Sequence, residues 1–208
     1  MIWYDYFASF YDSALERLYR PFRSQTIARA ALSSGDHVLD LACGTGQNFE
    51  HILEAIGPTG HLVGADYSPG MLARAKARVD QHGWDNVSLV QKDARQLDLQ
   101  DVGSSEGMDG VICTLGLSVI PEWENVFDAT LELLKPGGRY TIFDVHAEQW
   151  VPQTSVVQLF AQAKLERKVW TRLAAAADDF TLEFLDASPH IHGGRVFIAS
   201  GLRKIEGR

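Results

Sequence analysis

The chain has 208 residues, of which 46% are hydrophobic, and a formal net charge of −8. This length suits one α/β domain with a full core, and the acidic balance disfavours nonspecific binding to nucleic acid, which requires a basic face. Two cysteines are too few for a disulfide framework, and we see neither a signal peptide nor a stretch long enough to span a bilayer, so we expect a cytoplasmic protein with reduced thiols.

The first segment, residues 3 to 19, is dense in aromatic side chains. These include Trp3, Tyr4, Tyr6, Phe7, Phe10, Tyr11 and Tyr19. The spacing of apolar residues from Phe7 to Leu18 predicts one face of an amphipathic helix. Pro21 is expected to end this helix and to begin the next one, from Phe22 to Leu32. An amphipathic helix packed on the domain and a lid over a ligand both fit this pattern.

A strand, a glycine loop and a helix follow in that order. The apolar run from Val38 to Leu41 predicts a buried strand, and Cys43-Gly44-Thr45-Gly46 predicts a tight loop. Apolar residues then recur at helical spacing from Gln47 to Ile56. In an open α/β sheet this order creates a ligand-binding cleft at the carboxyl end of the strand. Glycine lets the backbone approach a ligand closely there.

The second predicted strand, His61 to Ala65, ends at Asp66. An acid about twenty residues past a glycine loop is the spacing that binds ribose hydroxyls in dinucleotide folds. The dinucleotide fingerprint nevertheless fails at Phe49, where glycine or alanine should allow close packing of helix and strand. Phe49 therefore argues against a nicotinamide dinucleotide.

The other predicted elements complete an alternating α/β pattern. They are a helix over Pro69–Val79, strands over Val87–Val90 and Gly110–Thr114, a helix over Pro121–Leu134, a strand over Tyr140–Val145, a helix over Val156–Ala175, and strands over Phe180–Leu185 and Arg195–Ala199. His190 and His192 stand two apart in a turn-rich link and lack further ligands nearby, so we predict no metal site. Residues 205 to 208 match a protease recognition sequence used in expression tags, which leaves 1–204 as the expected domain.

Four stretches resemble, in order, the motifs of class I S-adenosylmethionine-dependent methyltransferases. They are Val38 to Gly46, Gly64 to Leu72, Asp93-Ala94 after the third strand, and Leu134 to Arg139 before the fifth. The resemblance implies an α/β fold: a Rossmann-like, seven-stranded, mostly parallel sheet with an antiparallel C-terminal strand and helices on both faces. Ala42 replaces the usual first glycine of the family, so the loop is expected to lie slightly further from the ligand.

The resemblance also implies S-adenosylmethionine as the cofactor and assigns residues to it. Asp66 would bind the ribose hydroxyls, Asp40 the methionine ammonium or the loop backbone, and Asp93 the adenine amino group, with Met71 packed on the adenine. Helix capping is the competing role for both Asp66 and Asp93. The remaining predicted cofactor contacts are Tyr11, Ala42, Gly44, Thr45, Gly46, Tyr67, Ala94 and Thr114.

Two short stretches bear on a lid and on the methyl acceptor. Ser9 to Asp12 resembles an aromatic segment that covers the cofactor in related enzymes, which implies an N-terminal helical lid over about residues 1–32. Leu117 to Trp123 lacks the Asn/Asp-Pro-Pro-aromatic run of enzymes that methylate nucleic-acid bases, and it resembles small bacterial methyltransferases that act on lipid head-group amines. We therefore predict N-methylation of a lipid amine such as phosphatidylethanolamine, with Tyr11 and His146 as candidate general bases.

Several alternatives stay open at this point. The acceptor could be a soluble small molecule or a quinone precursor, and His146 could be a plain hydrogen-bonded histidine. An NAD-dependent oxidoreductase and a cofactor-binding protein without catalysis are the alternatives of another class. The N-terminal aromatics, with Arg17, Arg20 and Arg23, could make peripheral contact with an anionic membrane.

Overall fold

A computed structural model describes residues 17–149 and 152–205 of the chain. The helices are α1 (17–30), α2 (Phe49–Ile56), α3 (Pro69–His82), α4 (Trp123–Leu131), α5 (Pro152–Ala161), α6 (Thr171–Ala176) and α7 (Pro189–His192). The strands are β1 (His37–Leu41), β2 (His61–Asp66), β3 (Val87–Gln91), β4 (Met108–Thr114), β5 (Leu134–His146), β6 (Ala177–Phe184) and β7 (Arg195–Arg203).

The strands form one seven-stranded sheet in the order β3-β2-β1-β4-β5-β7-β6. Strands β1 to β5 are parallel, whereas β7 is antiparallel to both of its neighbours. From β1 the chain first builds the sheet outward through β2 and β3, and then returns to add β4 on the other side. This reversal opens a crevice at the carboxyl ends of β1 and β4, the usual place for a ligand in such sheets. The predicted fold is confirmed.

Helices cover both faces of the sheet, as the apolar sequences of β1 and β4 require. Strands buried on both sides read as continuous apolar runs, because helices pack above and below them. Apolar residues of α1, α2 and α3 form one cluster with Val38 and Ile112. Those of α4 and α6 pack with Leu39 and Cys113, which point to the opposite face.

Phe49 fits into space that two glycines provide. Its side chain is fully buried. A Cβ at Gly46 would lie 2.7 Å from the phenyl ring, and a Cβ at Gly64 of β2 would lie 2.6 Å from it. The phenyl ring of Phe49, which departs from the dinucleotide fingerprint, therefore packs against Gly64 on the neighbouring strand, where a larger residue would clash with it.

The structure corrects several predicted boundaries. Pro21 does not interrupt α1, which runs from residue 17 to residue 30. The single helix predicted over Val156–Ala175 is two helices, because Gln162 adopts φ of 52° after α5 and the chain is irregular as far as α6. The predicted turn before the fifth strand is already part of β5, where Leu134 pairs with Met108 ahead of a bulge.

Residues 1–16, which contain most of the expected lid, lie outside the described residues. Within the described part of the chain, no helix has both the length and the apolar character to cross a bilayer. Cys43 and Cys113 are both buried free thiols.

The fit of Phe49 can be tested by adding one methyl group. Gly64→Ala should lower the free energy of unfolding by about 1–3 kcal/mol, because the new Cβ would overlap the Phe49 ring. Urea unfolding of the purified chain measures this. The same substitution should cost less in a Phe49→Leu background, whose shorter side chain leaves room. An equal cost in both backgrounds would contradict the fit.

Candidate functional site

The candidate site lies where β1, β2 and β4 end. The loop after β1 is held by backbone hydrogen bonds: Cys43 N–H donates to the carbonyl of Ala65 (3.0 Å), and Gly46 N–H donates to the carbonyl of Cys43 (3.0 Å). Gly44 has φ of 57°, and a Cβ built on it would meet no atom within 4 Å. One side of this loop therefore faces open space, where a ligand can approach the backbone.

Two residues other than glycine have a left-handed backbone conformation where the loops after β1 and β4 meet. Ala42 has φ of 53° and Leu115, just after β4, has φ of 56°. Such a conformation costs roughly 1–2 kcal/mol for an ordinary residue. The next residue, Gly116, fits between Ala42 and Cys113, because a Cβ there would be 3.0 Å from the Ala42 Cβ and 2.7 Å from the Cys113 Sγ. Ala42 thus takes the backbone conformation that favours glycine, although it carries a Cβ.

Asp66 joins the end of β2 to the glycine loop. Its Oδ2 accepts a hydrogen bond from Gly44 N–H (2.8 Å), and its Oδ1 accepts one from Ser68 N–H (2.9 Å). Burial raises the pKa of this carboxyl, and the backbone N–H bonds oppose the rise. Ser68, rather than Asp66, caps α3 by accepting from Met71 N–H. The Tyr67 N–H also stabilises the carboxylate, which keeps lone-pair capacity for a ligand hydroxyl.

Asp40 is a fully buried acid on β1. Its Oδ1 accepts a hydrogen bond from Asn48 Nδ2 (2.8 Å), and its Oδ2 has no hydrogen-bond partner within the described part of the chain. Burial raises the pKa of Asp40 to about 7, against the lowering effects of Asn48 and of the positive charge of Arg23. A buried polar atom without a partner is costly, so this oxygen is a candidate for a ligand contact.

Arg23 of α1 completes the polar network around Asp40. Its guanidinium donates from Nη1 to Asn48 Oδ1 (2.6 Å) and to Thr114 Oγ1 (3.1 Å), and from Nη2 to Gln47 Oε1 (2.5 Å). Asn48 Nδ2 also donates to Thr114 Oγ1 (3.0 Å). One buried cation thus joins α1 to the loop after β1 and to the end of β4.

Asp93 caps a short helix, which was the alternative to its predicted contact with adenine. Its Oδ1 accepts from Arg95 N–H (3.0 Å), which caps the short 3-10 helix Ala94–Gln96. The Arg95 guanidinium also bonds to Asp93 and lowers its pKa, and it reaches Glu122 just before α4. Contact with adenine stays a prediction.

Three predicted neighbours of the adenine differ in exposure. Tyr67 is 54% exposed, Met71 is half-buried, and Ala94 packs against the core. Tyr67 and Met71 therefore border the end of β2 without filling it. Thr45 is buried, and its carbonyl accepts from Arg78 Nε (3.1 Å).

His146, a predicted general base, lies at the end of β5 but is only 2% exposed. Its Nδ1 is 3.0 Å from the carbonyl oxygen of Leu165 and 3.2 Å from that of Arg167. Its ring meets Trp170 edge to face at 4.9 Å. These contacts favour the hydrogen-bonded histidine over the base, because the surrounding segment covers the ring. Tyr11, the other candidate base, lies outside the described residues.

Sequence reasoning missed a second buried pair, Ser118 and Asp144. Ser118 donates to the Asp144 carboxylate through its backbone N–H (3.0 Å) and its Oγ (2.7 Å). Burial raises the pKa of Asp144 to about 6. The pair fixes the loop after β4, which Arg167 also holds through the carbonyls of Ile120 and Pro121. Asp144 follows an apolar run in β5, and an acid in such a place was the available signal.

A family model described as a methyltransferase domain matches residues 32–181. An arsenite methyltransferase of Halobacterium salinarum is 35% identical over 118 residues, which cover 57% of this chain and 29% of that protein. A demethylmenaquinone methyltransferase of Listeria welshimeri is 31% identical over 128 residues, which cover 62% and 52%. The chain thus spans about half or less of the length of these relatives.

Solved structures share the fold at low sequence identity. One is a chain from the complex between the Haloferax volcanii Trm112 methyltransferase activator and a methyltransferase. It superposes with a TM-score of 0.76 at 17% identity, covering 97% of this chain and 98% of that one. The architecture around the glycine loop is therefore shared well beyond recognisable sequence similarity.

The buried acid on β1 makes stability depend on pH. Because the pKa of Asp40 is about 7 when folded and near 4 in an unfolded chain, the folded state binds the proton more tightly between these values. The free energy of unfolding should therefore fall as pH rises from 4 to 7. In Asp40→Asn this loss should be smaller by roughly 2–4 kcal/mol.

Urea unfolding at pH 5 and pH 8 measures the difference between the variants. Asp144, whose pKa shifts in the same direction, is present in both and cancels. Asp80→Asn, at an exposed ion pair with Lys76, is the control and should follow the unmodified chain. The same pH dependence in Asp40→Asn and the unmodified chain would show that Asp40 does not hold the proton.

Proposed function

The chain belongs to the methyltransferase-domain family, whose class I members use S-adenosylmethionine, and we propose that it transfers the methyl group of this cofactor to an acceptor that carries a large apolar group. The family resemblance in its sequence is thereby confirmed. The observation that carries the proposal is the hydrogen bond from Gly44 N–H to Asp66, which places an acid beside an open glycine loop at the sheet's reversal point.

The residues at the site fit this cofactor chemically. Asp66 keeps lone-pair capacity for a ribose hydroxyl, which is an O–H donor. The unpartnered Oδ2 of Asp40 suits the ammonium of the methionine end. Gly44 leaves the loop open to close approach. When bound, the cofactor supplies an electrophilic methyl group on a sulfonium.

The protein's main contribution to the reaction would be positioning. An in-line displacement needs the acceptor held behind the methyl group, and holding two reactants together removes much of the entropic barrier. The loop after β4 is suited to this, because Asp144 and Arg167 fix its backbone from two sides. The candidate bases Tyr11 and His146 stay predictions, and the geometry of His146 supports it least.

The surface beyond Thr114 supports an apolar acceptor. Leu115 and Val119 of the loop after β4 belong to an apolar cluster with Phe143 of β5. Phe22 of α1 stacks on Phe143 at 6.1 Å. Phe143 is fully buried, so Leu115, Val119 and Phe22, which are partly exposed, are the members that can border an acceptor, and such side chains favour a ring or an acyl chain over a small ion.

Two acceptor classes remain as proposals. A lipid head-group amine is supported by the Leu117 to Trp123 stretch, and a quinone precursor is supported by the sequence relatives that are demethylmenaquinone methyltransferases. Peripheral membrane contact would use Arg17 and Arg20, which are exposed. Arg23 is buried in the site, which corrects its assignment to a head-group surface.

Arsenite is disfavoured as an acceptor, although one relative is an arsenite methyltransferase. Trivalent arsenic is a soft ion that prefers thiolate ligands. The chain has only two cysteines, both buried, and burial raises the pKa of both thiols. Their side chains also belong to clusters on opposite faces of the sheet.

The cofactor assignment can be tested at Asp66. Asp66→Ala should weaken S-adenosylmethionine binding by about 1.5–3 kcal/mol, the range for hydrogen bonds to a charged group. Calorimetry on the folded variant measures this, with circular dichroism to confirm the fold. Asp80→Ala, which removes an exposed acid, is the matched control and should bind normally. Unchanged affinity in Asp66→Ala would refute the assignment.

The acceptor can be tested with labelled cofactor. We expect methyl transfer to phosphatidylethanolamine presented in anionic vesicles, and vesicle co-sedimentation should show binding. Transfer to a demethylated quinol without transfer to the amino lipid would establish the second class instead. Release of S-adenosylhomocysteine measures turnover in both arms, and Asp66→Ala should reduce it in whichever arm is active.

A further inference from the structure

Arg23 lies outside the motifs that resemble the family, yet its guanidinium donates hydrogen bonds to three side chains of the site. It is 7% exposed, and its guanidinium contacts Gln47, Asn48 and Thr114. Few arginines are buried so deeply unless they are paired. These three side chains are neutral, and one of them, Asn48, leads to a carboxyl group one hydrogen bond further away.

That group is Asp40. Asn48 accepts from Arg23 through its Oδ1 and donates to Asp40 through its Nδ2, at 2.6 Å and 2.8 Å. The amide therefore joins a buried cation to a buried carboxylate. A direct ion pair would occupy the carboxylate, whereas this bridge leaves Asp40 Oδ2 without a partner among the described residues.

We propose that Arg23 is a positioning residue for the cofactor, which acts through Asn48 to keep Asp40 ionised and its Oδ2 directed to the cationic end of the cofactor. The proposal rests on the proposed function for the identity of that cation. A neutral acid at residue 40 could accept only weak hydrogen bonds, whereas a carboxylate binds an ammonium through charge-assisted ones.

Among the ionisable groups around Asp40, Arg23 is the one whose charge favours the ionised carboxylate. Asp66 on β2 raises the pKa of Asp40 by like-charge repulsion, and Arg23 on α1 lowers it. Cys43 of the loop after β1 and Cys113 on β4 have pKa values raised by burial and stay neutral. Arg23 is therefore the cation that opposes desolvation at this position within the described structure.

The test compares cofactor affinity across pH in the full chain. Calorimetry from pH 5.5 to 9 should show that R23Q binds S-adenosylmethionine about tenfold more weakly at pH 7. The pH at which affinity is half lost should move upward by about one unit, because Asp40 then ionises at higher pH. R23K, which keeps the charge, should recover most of the shift.

The matched control is R29Q on the same helix. Arg29 forms an exposed ion pair with Glu183, so this variant loses one cation of α1 away from the site. Affinity and pH midpoint should be unchanged in R29Q. An R23Q variant that binds weakly with the midpoint of the unmodified chain would show a purely structural role and overturn the proposal.

A second measurement does not depend on the cofactor. The carboxyl carbon of Asp40, followed by NMR in the cofactor-free chain, should titrate at higher pH in R23Q than in the unmodified chain. If the unmodified chain binds no S-adenosylmethionine, the proposed function fails, and this titration still decides whether Arg23 controls Asp40. Equal titration in both chains refutes that control.

A double variant tests the proposal in case R23Q does not fold. If R23Q is not recovered folded, D40N/R23Q removes the carboxylate that would lack its cation. Recovery of the fold in D40N/R23Q supports the link between the two residues. Failure of the double variant to fold, while D40N folds, contradicts it.

Discussion

The burial of Asp40 is the constraint on which the site depends. An isolated carboxylate is very costly to remove from water, and the cost is met only by partners that reach it inside the fold. Asn48 hydrogen-bonds to the carboxylate directly, and Thr114 of β4 and Arg23 of α1 in turn hydrogen-bond to Asn48. The glycine loop, the end of β4 and α1 are therefore held in one arrangement by the polar network between the buried Asp40 and the buried Arg23.

Close packing at the sheet's reversal point is the second constraint. Gly116 fits between Ala42 and Cys113, and both Ala42 and Leu115 accept a left-handed backbone there. Strain of this kind persists only where the surroundings determine the backbone, and it is common at functional sites. The two loops that border the crevice are thus packed closely against each other.

The sequence was informative about the sheet because its signals are local. Apolar runs such as Val38 to Leu41 and turns such as Gly57 to Gly60 mark each strand without knowledge of its neighbours. The split of the helix after α5 was not visible, since Gln162 carries no breaker signal. Phe49 was read correctly as a departure, but the glycine that accommodates it lies on another strand.

The candidate site was predictable only where it coincided with a motif. Asp66 and Gly44 stand at strand ends with known spacing, whereas Arg23 appeared to be one of three arginines on a helix face. Its inward direction is set by contacts 24 to 91 residues away along the chain. The same holds for Asp144, whose partner Ser118 is 26 residues distant.

Helix α1 links the two halves of the crevice. The half near β1 and β2 carries the polar network of Asp40, and the half near β5 carries an apolar cluster around the buried Phe143, next to the buried acid Asp144. Arg23 reaches the first, while Phe22 and Tyr19 pack on Phe143 in the second. A shift of α1 would therefore disturb both the charge balance at Asp40 and the packing of Tyr19 and Phe22 on Phe143. A helix that precedes the first strand is thus part of the site, because its consecutive side chains serve both the polar and the apolar half.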